Sequence, residues 1–194
     1  MRATLTDRTP SRICVFCGAS SSVADEFRAA ARALGRAIAA QGHELVYGGA
    51  SVGLMGVLAD SALEHGAVVT GVIPRVLVDR EIAHPNLSEL VVVDTMHERK
   101  AEMARRAHAV IAMPGGFGTL DELFEITTWA QLGLHAVPIG LLDVNDYFRP
   151  LTDFVARASE IGFVKPEHRA LWTVSHDPNE LVEALARRAQ KRPA

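Results

Sequence analysis

The chain has 194 residues, 48% of them hydrophobic and 22% charged, a balance that fits one soluble globular domain large enough to enclose a ligand. A formal net charge of −3 and a pI near 6.2, with the basic residues scattered, exclude a general nucleic-acid binder. No apolar run approaches the roughly 20 residues that cross a bilayer, and residues 1–10 lack the apolar core of a signal peptide, so a cytoplasmic protein without membrane attachment is expected.

Residues 1–10 read as a loose tail and residues 11–190 as a single domain that alternates strand and helix. The apolar run 13–16 is a first strand, followed by the small-residue turn Gly18-Ala19-Ser20-Ser21-Ser22. Phe27, Ala30, Ala31, Leu34, Ala37 and Ile38 recur at helical spacing, and Gly42 closes that helix before a second strand at 44–47. The turn Gly48-Gly49-Ala50-Ser51-Val52-Gly53 opens a helix to residue 65, and 68–73 is a third strand closed by Pro74. Residues 75–85 are less regular, a short helix or loop, and 90–93 is a fourth strand. Thr95 and Glu98 have capping-box spacing, so a helix starts there and runs to residue 106. A fifth strand at 109–113 leads through a glycine-rich turn into a helix. Beyond it come a sixth strand at 137–142, a helix at 146–159, a short last strand at 171–174 and a closing amphipathic helix at 178–188.

Apolar strands alternating with helices predict an α/β fold, a Rossmann-like, doubly wound, mostly parallel sheet flanked by helices. In such sheets ligands sit beyond the C-terminal strand ends, at a topological switch point. The turns at Ser20, Gly48-Gly49, 96–99 and 115–122 all follow strands and converge there. Cys14 and Cys17 have C-x-x-C spacing, but on a strand residues three apart face opposite ways. The redox motif belongs at a helix start, so two buried, reduced thiols are expected.

Pro114-Gly115-Gly116-Phe117-Gly118-Thr119-Leu120-Asp121-Glu122 is the most informative segment. Its glycines let backbone approach a ligand closely, and a helix N-terminus adds partial positive charge, which makes the junction a phosphate site. Asp121 and Glu122 add carboxylates that anion binding alone does not need, which points to chemistry on a phosphorylated small molecule. Two readings of Glu122 stand open: a functional carboxylate, or the second half of a capping box with Thr119. Asp121 and Glu125 equally suit the positive end of a helix. Arg99 and Lys100 fall in the first turn of their helix, where cations oppose the helix dipole; an anionic ligand or plain solvation would resolve that. The 48–53 turn lacks both the G-x-G-x-x-G order of a dinucleotide site and the Gly-Lys-Ser/Thr ending of a P-loop. No spacing among the eight histidines suggests a metal, and no cofactor is expected.

Met96-His97-Glu98-Arg99-Lys100 followed by the 114–122 segment resembles the Lonely Guy family of cytokinin riboside 5′-monophosphate phosphoribohydrolases. The likeness extends through Cys17-Gly18-Ala19-Ser20, Tyr47-Gly48-Gly49, Gly53-Leu54-Met55-Gly56, Glu81-Ile82-Ala83-His84 and Thr128-Trp129-Ala130-Gln131-Leu132-Gly133. It implies hydrolysis of the N-glycosidic bond of an N6-modified adenosine monophosphate to free base and ribose 5-phosphate. It further implies a homodimer whose partner helps to build the site. Carried onto this chain, the resemblance makes Arg99 and Glu122 catalytic, with Glu122 expected to stay ionised at its helix N-terminus. Substrate binding falls to Ser20, Gly49, Glu81, Met96, Arg99, Lys100, Gly115, Gly116, Phe117, Gly118, Thr119, Leu120, Asp121, Glu122 and Thr128. Family members are often labelled lysine decarboxylases, an activity that needs pyridoxal phosphate on a lysine, and this chain has only Lys100, Lys165 and Lys191. Where the family usually has a third glycine, this chain has Ala50. Two rival functions stand beside the implied one. A general AMP or nucleotide nucleosidase would use the same residues. A carrier of a phosphorylated cofactor, as in the related molybdenum-cofactor carrier proteins, would need the phosphate loop but not the pair of Arg99 and Glu122.

Overall fold

The computed structural model describes residues 9–80 and 82–191. Glu81 and residues 1–8 of the expected tail therefore lie outside the described residues. Seven strands form one sheet: β1 (Arg12–Phe16), β2 (Glu44–Tyr47), β3 (Val69–Pro74), β4 (Glu89–Val93), β5 (Ala109–Ala112), β6 (Ile139–Leu142) and β7 (Trp172–Ser175). The crossovers carry α1 (Asp25–Ala40), α2 (Gly53–Glu64), α3 (Arg75–Val78), α4 (Met96–Arg106), α5 (Phe117–Gln131) and α6 (Arg149–Glu160), and α7 (Pro178–Gln190) closes the chain. Every pairing is parallel, so the mostly parallel sheet expected from the sequence is parallel throughout.

The strand order is β4-β3-β2-β1-β5-β6-β7. The chain winds outward from β1 to β4, then returns to the other side of β1 and winds outward again. The switch point thus lies between β1 and β5, which pair from Ile13↔Ala109 to Phe16↔Ala112. Alternation along β1 divides the core between two faces. Ile13, Val15 and Cys17 pack with Leu34, Leu54, Leu58 and Leu181 under α1, α2 and α7. Cys14 and Phe16 pack with Met103, Leu123, Ile126 and Phe148 on the opposite face. Both cysteines are buried and free on opposite faces, as their strand position predicts, and burial pushes their thiols far above the usual range.

Two element starts differ from expectation by two residues or more. The sixth strand begins at Ile139 rather than at residue 137. Pro138 has no N–H for the ladder, although its carbonyl accepts from Val110 N at 2.9 Å. The next helix begins at Arg149 rather than at residue 146. Asn145 (φ 53°) and Asp146 (φ 57°) take the left-handed conformation of a turn, which a right-handed helix cannot include. Among the described residues, no helix is long and apolar enough to cross a membrane.

The α1–α2 contact depends on a glycine. A Cβ at Gly35 would stand 2.6 Å from Leu58 O and 2.9 Å from Ala62 N, so only hydrogen fits between the two helices. Gly35→Ala should force the helices apart and cost about 1–3 kcal/mol despite alanine's better helix propensity. Urea unfolding followed by circular dichroism measures it, and a stabilised variant would refute the close packing.

Candidate active site

A cavity of about 550 Å³ opens at the switch point, beyond the C-terminal ends of β1, β2 and β5. The loops after β1 and β5 are joined by Gly18 N donating to Pro114 O at 3.1 Å. Gly18, Ala19 and Ser20 line one side, and Pro114, Gly115, Gly116 and Gly118 the other. Helix α5 starts at Phe117 with Gly116 as its N-cap, and no side chain caps it. The Thr119–Glu122 capping box open in the sequence is therefore not formed, because Thr119 already lies in the first helical turn and Glu122 in the second. Leu120 N is bonded to Gly116 O at 3.1 Å. The amides of Phe117, Gly118 and Thr119 precede it and have no acceptor within the helix.

Glu122 instead meets Arg99. Helix α4 is fixed at its start by the expected capping box, Glu98 N to Thr95 Oγ1 at 3.1 Å and Thr95 N to Glu98 Oε2 at 3.3 Å. One turn on, Arg99 points inward, and both it and Glu122 are only 8% exposed. Arg99 Nη1 donates to Glu122 Oε1 at 2.8 Å and Nε to Val72 O at 3.2 Å. Gly48 makes room for this: a Cβ there would lie 2.0 Å from Arg99 Nη2. Burial raises the Glu122 pKa, and the Arg99 guanidinium opposes this without reversing it. Desolvation is the larger of these two effects on the carboxyl.

The second cation of α4 is held separately. Lys100 Nζ lies 2.9 Å from Asp121 Oδ2 and 3.2 Å from Glu125 Oε1, so these α5 acids answer a lysine rather than only the helix dipole. Partial burial pulls the Lys100 pKa down, and its hydrogen bonds to Asp121 and Glu125 outweigh that and raise it. The misfit of two cations at a helix start is thus resolved by carboxylates of the neighbouring helix.

Of the residues singled out in the sequence, Ser20, Arg99, Gly115, Gly116, Gly118, Thr119 and Glu122 line the cavity. Gly49 lies just behind its wall, in the left-handed conformation (φ 75°), with its carbonyl accepting from His84 N at 2.9 Å. Met96 and Phe117 are exposed, Leu120 is half-buried, and Lys100 and Asp121 pair outside the cavity. Thr128 is exposed on α5, its hydroxyl donating to Phe124 O within the helix. Ala50, in place of the family glycine, is buried and forms part of the cavity wall. Sequence reasoning missed the apolar side: Val23, Phe27, Leu54, Met55, Leu77 and Tyr147. Their signal was position, since each lies in the loop after a strand or in the first turn of the helix that follows it.

A free helix N-terminus, an apolar wall and a buried ion pair thus meet at the switch point of an α/β protein of the doubly wound class. Residues 55–185 match a family described as "Possible lysine decarboxylase". A rice (Oryza sativa subsp. japonica) protein named as probable cytokinin riboside 5′-monophosphate phosphoribohydrolase LOGL2 is 47% identical over 174 residues, 90% of this chain and 71% of that one. Arabidopsis thaliana proteins named cytokinin riboside 5′-monophosphate phosphoribohydrolases LOG7 and LOG5 are 47% and 45% identical, covering 80% and 76% of their own lengths. The chain belongs to this family. Among solved structures, the molybdenum cofactor carrier protein of Chlamydomonas reinhardtii superposes with a TM-score of 0.72 at 21% identity, covering 94% of this chain and all (100%) of that one. A molybdenum cofactor binding protein of Rippkaea orientalis gives 0.69 at 20% identity, covering 92% and 96%. These two likenesses show the fold.

Removing one member of the Arg99–Glu122 pair should cost about 3–5 kcal/mol, because the other charge is left buried alone. The double variant Arg99→Met/Glu122→Leu should recover most of that loss. Chemical denaturation of the two singles and the double measures it, and additive losses would contradict a coupled buried pair.

Proposed function

We propose that the chain hydrolyses the N-glycosidic bond of N6-modified adenosine 5′-monophosphates, giving the free base and ribose 5-phosphate. The observation that carries this reading is the Arg99–Glu122 pair, buried at the cavity beside the N-terminus of α5. The names of relatives 45–47% identical over most of the chain support the same reaction. The 5′-phosphate sits on the amides of residues 116–119 and the Thr119 hydroxyl, where the helix dipole favours an anion. The purine and its N6 substituent lie along Val23, Phe27, Leu54, Met55 and Leu77. The ribose then spans the gap, with its anomeric carbon at Glu122.

Breaking the bond develops positive charge on the sugar. Ionised Glu122 stabilises that charge and takes a proton from the attacking water, whose oxygen bonds to the anomeric carbon as the bond to nitrogen breaks. The departing base keeps the bonding electron pair and takes up a proton. Arg99 is a charge-assisted partner that keeps Glu122 in place and ionised against the pull of burial. Residues 11–190 act as the one catalytic domain, in the cytoplasm.

A second copy completes the assembly in this reading. The exposed face of α5 and the turn after it carry Phe117 (93% exposed), Leu132 (65%) and Leu134 (70%), an apolar strip unusual for a monomer. Thr128 and Met96 are exposed too and lie outside the cavity, so a homodimer gives them a role at the partner's site. The lysine decarboxylase label does not fit the lysines. Lys100 is held protonated by two carboxylates, Lys165 and Lys191 are exposed, and none of the three lines the cavity. A Schiff-base lysine needs a neutral amine in a pocket.

Purified protein incubated with N6-isopentenyl-AMP, AMP and the matching nucleosides should release base from the prenylated monophosphate fastest, as read by chromatography. Faster cleavage of AMP would make it a general nucleotide nucleosidase, and no base from any of them would bring forward the cofactor-carrier reading. Glu122→Gln should lower kcat by about 10²–10⁴-fold while still binding ligand. Because the ionised form is the active one, activity should fall as pH drops through a Glu122 pKa raised above the usual carboxylate value. The pH profile of kcat/KM tests this, and an acidic limb at the ordinary glutamate value would assign the limb to another group.

A further inference from the structure

Tyr147 belongs to no motif in the sequence reading, yet it lines the cavity and touches the glycine loop. It follows the left-handed residues Asn145 and Asp146 in the turn after β6. That turn is tied down twice: Asp143 Oδ1 accepts from Phe148 N at 2.9 Å, and His176 Nδ1 donates to Asp143 O at 2.8 Å. Asp143, Asp146 and His176 bring ligand-type atoms within 4.8 Å of one another, and two of the three, Asp143 and His176, are engaged in bracing the turn. The Tyr147 ring meets Phe27 and Phe148 edge-on, with centroids 6.1 and 5.2 Å away. Its hydroxyl donates to Gly115 O at 2.5 Å.

The Gly115–Gly116 peptide is trans, so its N–H points opposite its carbonyl. A bond that fixes the Gly115 carbonyl therefore fixes the direction of the Gly116 amide. The preceding carbonyl, Pro114 O, is fixed in the same way by Gly18 N. Gly115 leaves no room for a side chain toward the helix, since a Cβ there would lie 2.1 Å from Thr119 Oγ1. Both loop carbonyls that would repel an anion thus have donors of their own, one from the loop after β1 and one from Tyr147.

We propose that Tyr147 is a positioning residue for the phosphate loop: its hydroxyl engages the Gly115 carbonyl and sets the Gly116 amide for a 5′-phosphate. This rests on the reading of residues 116–119 as the phosphate site. It adds a residue from the β6 end of the sheet to a loop that follows β5. The consequence is selective: the hydroxyl strengthens binding of phosphorylated ligands and has no effect on nucleosides that lack the phosphate.

Tyr147→Phe keeps the ring between Phe27 and Phe148 and removes only the hydroxyl. Calorimetric Kd values for ribose 5-phosphate and AMP, together with KM for the monophosphate, should rise about three- to tenfold, the worth of one hydrogen bond. The accompanying fall in kcat should stay below about twofold, and the melting temperature should hold within a few degrees. Tyr147→Leu, which also lacks the hydroxyl, should move Kd in the same direction and provides a second variant where Tyr147→Phe yields no folded protein. Unchanged Kd and KM, or a fall in kcat at constant KM, overturns the proposal. A lowered melting temperature without a change in Kd assigns Tyr147 a structural role and overturns it too. Wild-type protein that binds ribose 5-phosphate but releases no base defeats the hydrolase reading, while the Kd comparison still decides the role of Tyr147. Wild-type protein that binds neither phosphate ligand overturns both.

Discussion

Placing a guanidinium and a carboxylate in the interior costs several kcal/mol of lost hydration per ion, and the surroundings of Arg99 and Glu122 are arranged around that cost. Val72 turns a backbone carbonyl to Arg99 Nε, so the guanidinium has a second acceptor besides Glu122. Gly48 gives up its side chain so that the guanidinium can enter. The capping box at Thr95 and Glu98 sets the start of α4 and hence the direction in which Arg99 leaves it. Lys100, one residue on, faces another side of the helix and has its own carboxylates. The acids of α5 are thereby divided between two cations by helix face. Asp121 and Glu125, four apart, share Lys100, and Glu122, about 100° round the helix, is left to Arg99.

What the sequence made legible follows from short-range physics. Apolar runs marked all seven strands, and the Thr95–Glu98 spacing marked the start of α4. The places where reading from sequence fell short are those that distant parts of the chain decide. Thr119 and Glu122 have the spacing of a capping box, but the turn places Gly116 at the cap and shifts both residues into the helix. Once there, Glu122 is buried by the rest of the fold, which no local pattern records. Phe27 shows the same limit, since helical spacing assigns it to the core and the structure puts it at the cavity beside Tyr147. The left-handed pair Asn145 and Asp146 is compatible with a helix start in sequence and excludes one in space.

The likeness to molybdenum cofactor proteins at 20–21% identity extends over almost the whole chain, so the fold is shared, and a fold by itself does not fix a ligand. A helix N-terminus at such a switch point suits an anion on its own. The buried charged pair is additional, since anion binding gains nothing from a carboxylate nearby. Its persistence against the cost of desolvation is the physical reason for reading the site as chemistry rather than storage.

The position of β1 at the centre of the sheet has a consequence for synthesis of the chain. β1 is made first and pairs with β2 as soon as residue 47 has emerged, but its other edge waits for Ala109. Until then an apolar strand presents an open row of backbone donors and acceptors, the edge most prone to join a neighbouring nascent chain. The cavity closes later still, because Tyr147 follows β6. Any shortened product ending before that turn lacks Tyr147 and carries only a partial site, and any slowing of elongation between β4 and β5 prolongs the interval in which the molecule is most exposed to aggregation.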